Sequence, residues 1–168
     1  MSKEKPSFSL LKLLNLSLIL FLISCGYSLR TNSDLNQNVT YSIFFSESFL
    51  NSKLIDALKV SNKNKVYLNN IADDSEVIIK IIKHNITRYS AALGSGARTK
   101  EARLEYLLEI SLKLKNSDKD MKYQIRNNKS YSFNESNILA LEQEEEEITS
   151  DFINFALNEI KSLSLRLR

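Results

Sequence analysis

Two side chains belong to the types that most often take part in covalent or proton-transfer chemistry, Cys25 and His84, and each is the only residue of its type. A catalytic nucleophile needs a base beside it and a third group that orients the base. His84 instead lies in a strand-like pattern between Lys83 and Asn85, and nothing in the sequence marks convergent partners for it. We therefore predict that His84 is an ordinary strand residue, that no residue is catalytic and that the protein is not an enzyme.

Two other groups of residues have the composition of ligand sites but lack the required spacing. Gly94-Ser95-Gly96 is not followed by the Gly-Lys-Ser/Thr of a phosphate-binding loop, so it is predicted to be a hairpin loop. Asp118 and Asp120 have no further oxygen ligands at fixed spacing, which predicts a solvated turn. We accordingly expect no cofactor and no metal.

Cys25 directly follows an apolar run, and that run follows a short basic start containing Lys3 and Lys5. A basic start, an apolar stretch and small residues at the cleavage site are the features of a bacterial export signal. Leu22-Ile23-Ser24-Cys25 resembles the lipobox that the lipoprotein signal peptidase cleaves. We therefore predict a lipoprotein signal peptide over residues 1–24, whose removal leaves Cys25 as the first residue and as the attachment point of acyl chains.

Three alternatives explain the same stretch less well. The apolar core, residues 16–23, is far shorter than the roughly 20 residues that span a bilayer. An ordinary signal peptide prefers an Ala-x-Ala-like site, which is missing, and a buried free thiol need not follow such a run. Gly26 is not the Asp that retains lipoproteins in the inner membrane. We therefore expect a lipid-anchored protein at the outer membrane, facing the periplasm.

The charge balance gives no reason to expect a nucleic-acid partner. Residues 1–24 hold three of the 23 basic and one of the 20 acidic residues, which leaves 20 basic and 19 acidic residues after cleavage. Such a balance does not provide the basic surface that nucleic acids attract. The remaining chain is long enough for one domain with a real core, and with Cys25 acylated it can form no internal disulfide.

Hydrophobic periodicity predicts four strands and two helices. Residues 104–114 alternate apolar and mostly polar side chains, which is typical of a half-buried strand. Ile148, Phe152 and Phe155 recur at helical spacing, with the acidic run 142–147 at the start of that helix. The predicted order is a strand at 39–46, a helix starting at Ser46 or Ser48, a short extended piece at 66–68, strands at 76–89, 104–114 and 123–133, and the final helix.

This order predicts an α+β fold, a two-layer sandwich in which two helices pack on one face of a four-stranded, mainly antiparallel sheet. Residues 25–38 are polar, with little to bury, and are predicted to form a lipidated tether. Residues 39–168 are then expected to form a single α+β domain.

Four basic residues gather at the ends and loop of the hairpin predicted between the second and third strands: Arg88, Arg98, Lys100 and Arg103. Guanidinium groups match the geometry of phosphate oxygens. The cluster therefore predicts contact with an anionic lipid head group, and a solvated basic loop is the alternative.

Four short motifs, spread over nearly the whole chain after residue 24, resemble the lipopolysaccharide-assembly lipoprotein family LptE. The first is Cys25-Gly26-Tyr27-Ser28-Leu29-Arg30, similar to the family's Cys-Gly-aromatic-x-Leu-Arg start. The others are Glu105-Tyr106 at the opening of the alternating strand, Ser130-Tyr131-Ser132-Phe133-Asn134, and Leu139-Ala140 before the last helix.

The resemblance implies two helices against a four-stranded sheet, in agreement with the pattern above. It also implies a non-enzymatic protein that lies inside the outer-membrane barrel LptD, helps that barrel to assemble and contacts lipopolysaccharide on its way to the cell surface. Some relatives carry a basic residue just after the Leu-Ala pair, where this chain has Glu142. The hairpin residues therefore carry more of the expected lipopolysaccharide contact.

Two other classes of protein remain open. One is a different small outer-membrane lipoprotein, such as a barrel-assembly accessory or an envelope spacer. The other is a periplasmic lipid-modifying enzyme. The identity of the barrel that co-purifies from native outer membranes would separate the first of these from an LptD partner.

Overall fold

The structure is a computed structural model, and it describes residues 39–61, 65–94, 99–134 and 136–167. All of them belong to one unit of the chain, Leu35–Arg168. The predicted signal peptide (1–24), the predicted tether (25–38) and Arg98 lie outside the described residues. Lipidation of Cys25 therefore stays a prediction.

Within the described ranges the chain forms five strands and two helices. In chain order they are β1 (Tyr41–Phe44), α1 (Phe49–Ser61), β2 (Val66–Leu68), β3 (Val77–Leu93), β4 (Thr99–Leu114), β5 (Met121–Ser132) and α2 (Ile138–Leu167).

The five strands form one mixed sheet in the order β2-β1-β3-β4-β5. The strands β3, β4 and β5 are antiparallel neighbours, whereas β1 runs parallel to both β2 and β3. The α+β class with two helices is confirmed, but the prediction of four strands was wrong. The extra strand is β2, whose three residues are too few to show a period and pair with residues 41–43 of β1.

Helix α1 begins where a serine can cap it. The Ser48 hydroxyl accepts a hydrogen bond from the Asn51 backbone N–H at 3.2 Å, which satisfies one of the donors that a helix start leaves free. Leu54, Ile55 and Leu58 are buried on one side of α1. That apolar stripe holds the helix against the sheet and against α2.

A register shift between Ile81 and Lys83 divides β3 into two halves. Before the shift, odd-numbered residues such as Ile79 face the core. After it, even-numbered residues oppose the inward-facing residues of β4, so that His84 lies across from Leu108. The one unpaired residue, Ile82, thus changes which side chains face the core, from the odd-numbered to the even-numbered residues of β3.

The core lies between the helices and one face of the sheet. The even-numbered residues of β4 from Ala102 to Leu112 are almost completely buried there, together with the α2 residues Ile148, Phe152, Ala156 and Ile160. The odd-numbered residues of β4 from Arg103 to Lys113 point the other way. We call this second surface, with its neighbours on β3 and β5, the open face.

Within the described residues, neither helix combines the length and the apolar character needed to cross a membrane.

Two adjacent leucines of β4 test this division of faces. Leu108 is fully buried, whereas Leu107 on the open face is half-buried. Leu108→Ala should lower the free energy of unfolding by about 2–5 kcal/mol, since it leaves a cavity in the core. Leu107→Ala should cost about 1 kcal/mol or less. Urea unfolding of both variants measures the difference. Equal losses of unfolding free energy would contradict the assignment of Leu107 to an uncovered open face.

Candidate functional site

The predicted basic cluster is divided between the two faces of the sheet. Arg88 on β3 lies opposite Leu104, which places it on the helix side, whereas Arg103 on β4 lies opposite Tyr89, on the open face. Lys100 is exposed near the start of β4. The structure therefore brings three of the four residues to one end of the hairpin without giving them a common surface.

Arg88 is held by α2. Its Nη1 donates to Oε1 of Glu145 at 2.8 Å, and the Tyr131 hydroxyl donates to the same oxygen. The bond to Glu145 is the main reason why the pKa of Arg88 is raised. Burial, followed by the hydrogen bond to Glu145, raises the pKa of Tyr131 to about 12. The guanidinium also lies 5.8 Å from the ring centroid of Phe133.

The other two basic residues are less restrained. Arg103 forms an ion pair with Glu105 at 2.6 Å, and because both side chains are nearly half exposed this pair adds little stability. The Lys100 side chain runs so close to Gly94 that a Cβ atom there would lie 2.7 Å from Lys100 Cε. Gly94 therefore leaves the room that this side chain occupies.

Acids in the first half of α2 make further ion pairs across the fold. Glu146 accepts from Lys53 of α1 at 3.2 Å, and Asp151, one turn later, accepts from Lys129 of β5 at 2.8 Å. The sequence predicts an acidic run at the start of the final helix. The partners of these acids come from distant parts of the chain, so spacing alone could not reveal them.

His84 lies in a hydrogen-bonded chain between the sheet and α1. Its Nδ1 is 2.7 Å from Oδ1 of Asn51, and its Nε2 is 2.8 Å from the Tyr106 hydroxyl. The Asn51 amide nitrogen donates to the Ser46 carbonyl at 2.8 Å, so its Oδ1 is the end that faces His84. The imidazole therefore carries its proton on Nδ1, and the Tyr106 hydroxyl donates to Nε2.

This arrangement makes His84 a structural link. Burial lowers the pKa of His84 to about 4, so the ring is neutral at pH 7. Both ring nitrogens already have partners, and Tyr106 stacks on Phe152 with a centroid distance of 5.4 Å. Burial also raises the pKa of the Tyr106 hydroxyl. In the described part of the chain, no three metal-ligating side chains come together.

A polar groove of about 480 Å³ lies on the open face, and we call it the sheet groove. It was not foreseen from the sequence. The signal in the sequence is the alternation of polar residues along β3. The register shift at Ile82 interrupts that alternation, so the pattern does not stand out. Its lining includes Lys83, Asn85, Thr87 and Tyr89 of β3, Glu105 of β4 and Arg126 of β5.

The motifs of the sequence now have positions in a fold that can be compared with known proteins. A family model described as LptE, lipopolysaccharide-assembly, matches residues 34–162, which is more than half of the chain. The chain belongs to the LptE family. The resemblance inferred from the sequence is thereby confirmed, and among curated protein sequences none matches the chain.

Solved structures of low sequence identity share the fold of this LptE-family chain. Rare lipoprotein B from Shewanella oneidensis is similar with a TM-score of 0.58 at 18% identity, covering 78% of this chain and 98% of that one. Lipoprotein B from Nitrosomonas europaea is similar with a TM-score of 0.58 at 20% identity, and the match covers 83% of this chain and 92% of that one. A minor lipoprotein from Acinetobacter baumannii is similar with a TM-score of 0.54 at 17% identity, and the match covers 77% of this chain and 93% of that one.

Acidification should destabilise the protein through His84. Its pKa is about 4 in the fold against 6.5 in the unfolded chain. Between these values the unfolded chain binds more protons, so stability is complete above pH 6.5 and falls as the pH falls towards 4. Allowing for partial exposure, we expect a loss of about 1–2 kcal/mol between pH 7 and pH 5.

Urea unfolding at the two pH values measures this loss. His84→Gln is the matched control, because its amide keeps a donor and an acceptor but does not titrate. The variant should show a smaller loss over the same pH range, whatever its stability at pH 7. Equal losses in the two proteins would assign the pH dependence to other groups.

Proposed function

We propose that this LptE-family protein is a non-enzymatic outer-membrane lipoprotein that lies inside the barrel LptD and assists its assembly and the delivery of lipopolysaccharide. The observation that supports this most directly is the family match over residues 34–162. The similarity in fold to three lipoproteins agrees with the proposed lipid anchor.

The surface of the domain suits a polar enclosure. The lumen of an outer-membrane barrel is polar, so a protein inside it needs a hydrophilic exterior. The open face offers Glu109 and Lys113 on β4 and Gln124 on β5, and the Gln124 amide donates to Glu109 at 2.9 Å. Acyl chains on Cys25 would hold the domain at the membrane and raise its effective concentration near the barrel.

Lipopolysaccharide phosphates are the proposed ligands of Arg88, Arg98, Lys100 and Arg103. The Arg88 and Arg103 side chains are 56% and 46% exposed, and each has an acidic partner that occupies only part of its five N–H donors. Since these two arginines lie on opposite faces, a ligand that meets both must lie across the end of the hairpin.

Lipidation is tested at Cys25. Cells supplied with labelled palmitate should label the wild-type protein and should not label Cys25→Ala, because that variant lacks the thiol that accepts the acyl chain. The measurement is the label in the immunoprecipitated protein at equal protein amounts. A mature protein that still carries residues 1–24 by mass spectrometry would contradict the prediction.

The barrel partnership is tested by photo-crosslinking in living cells. Photoreactive residues replacing Glu109 or Lys113 on the open face should give adducts with a large outer-membrane barrel, to be identified by mass spectrometry. A photoreactive residue replacing Asp56, exposed on α1, samples the opposite side of the molecule. If the folded, lipidated protein gives no barrel adduct from any of these sites, the protein is better explained as an envelope spacer.

A further inference from the structure

The outer side of β5 is a free edge of the sheet. No described strand lies beyond β5, and its register with β4 runs from Met121 to Ser132 without the shifts that interrupt β3. The strand has 12 residues, none of them proline, which corresponds to about 40 Å of regular extended backbone. Bulges, prolines and short strands are among the devices that prevent further pairing at a sheet edge, and β5 has none of these three.

Alternate residues of β5 direct their backbone groups outward. The Phe133 N–H, just after β5, donates to the Lys100 carbonyl at 2.9 Å, so the odd-numbered residues direct their backbone groups to β4. The even-numbered residues from Lys122 to Ser132 therefore direct theirs away from the sheet, and all of them are exposed. Within the described ranges, the one outward N–H with a hydrogen-bond partner is that of Asn128, which donates to the side chain of its neighbour Asn127 at 2.8 Å. We call this row of outward backbone groups the β5 edge.

The charged side chains along the β5 edge are all basic. The strand contains Lys122, Arg126 and Lys129 and no acidic residue. Lys129 pairs with Asp151 of α2, on the helix side. Lys122 and Arg126 lie on the open face, and neither forms an ion pair with any described residue.

The acids of β4 do not neutralise these two cations. Glu109 lies between them in register, but it also lies opposite Lys83 of β3, so one carboxylate is shared among three basic residues. Glu105 forms its ion pair with Arg103. The β5 edge therefore combines unpaired backbone groups with an excess of positive charge.

We propose that the β5 edge binds an extended acidic segment of another protein, which adds to the sheet as a sixth strand. The backbone of such a segment bonds the outward N–H and C=O groups, and acids four residues apart reach Lys122 and Arg126, which are about 13 Å apart along the strand. A second copy of this chain fits less well, because pairing β5 with itself brings the cations of both copies together without an acid. The inference goes beyond the proposed function and requires neither the barrel nor lipopolysaccharide.

The test uses the full-length chain in a zwitterionic detergent. The probe is a fluorescent peptide of alternating threonine and valine, with glutamates in place of two threonines four positions apart, and the comparison peptide carries lysines at the same two places. Fluorescence anisotropy should give an affinity about fivefold higher for the glutamate peptide, because opposite charges on neighbouring strands attract and like charges repel.

Two methylated forms of the glutamate peptide show whether its backbone adds to the sheet. A methyl group on every second backbone nitrogen removes the N–H groups from one side of an extended peptide. One phase of methylation should reduce binding about tenfold or more and the other should leave it nearly unchanged, because only one side of an added strand faces β5.

Variants assign the binding to the β5 edge. Ser130→Pro removes an outward N–H that the sheet does not use, a position where proline is tolerated, and should weaken peptide binding about tenfold. Ser130→Thr keeps the N–H and should bind as the wild type does. Arg126→Glu should reverse the preference in favour of the lysine peptide. Lys80→Glu makes the same charge change on β3, two strands away, and should leave the preference as it is. Thermal unfolding verifies that each variant is folded.

Any of four results would overturn the proposal. They are absence of glutamate-peptide binding by the folded wild type, equal binding of the two methylated peptides, a preference that Arg126→Glu leaves unchanged, and a wild-type dimer that Ser130→Pro converts to a monomer. The last result would assign the β5 edge to a second copy of the chain. None of them contradicts the proposed function, which is judged by barrel adducts from Glu109 and Lys113.

Discussion

One extra residue in β3 decides which side chains each face of the sheet presents. The register shift between Ile81 and Lys83 reverses the alternation of the strand. Without it, His84 would point away from the helices and Asn85 would enter the core, where an unpaired amide is costly. With it, the second half of β3 sends His84 and Arg88 to the helices. The polar residues between and beside them go to the open face.

The side chains that reach the helix side are used there to hold the layers together. His84 joins β3 to Tyr106 of β4 and to Asn51 of α1, and each link is a satisfied hydrogen bond in a region of low exposure. Arg88 joins the hairpin to Glu145 of α2. These contacts orient both helices on a sheet whose hairpin extends beyond the packed core. The same contacts reduce the number of free donors that the helix side can offer to a ligand.

The sequence was sufficient for elements with a long, uninterrupted period. The alternation of residues 104–114 predicted β4, the capping serine predicted the start of α1, and the motifs predicted the family. It was insufficient where the period is short or interrupted, as in the three residues of β2 and the shift at Ile82. The final helix begins at Ile138, before the acidic run, because Leu141 still reaches the core. Ion pairs such as Arg88–Glu145 join residues 57 apart, and no local pattern encodes them.

Polar groups on both sides of the sheet find partners within the domain. On the helix side, partners within the domain are found for His84, Tyr106 and Tyr131 and for three acids of α2, Glu145, Glu146 and Asp151. Binding at these side chains would have to break an existing contact. The open face has internal pairs as well, since the Gln124 amide donates to Glu109 and Arg103 forms an ion pair with Glu105. The Asn85 Oδ1 atom is buried there without a hydrogen-bond partner among the described residues. The register shift in β3 thus decides which polar side chains of that strand hold the helices and which lie on the open face.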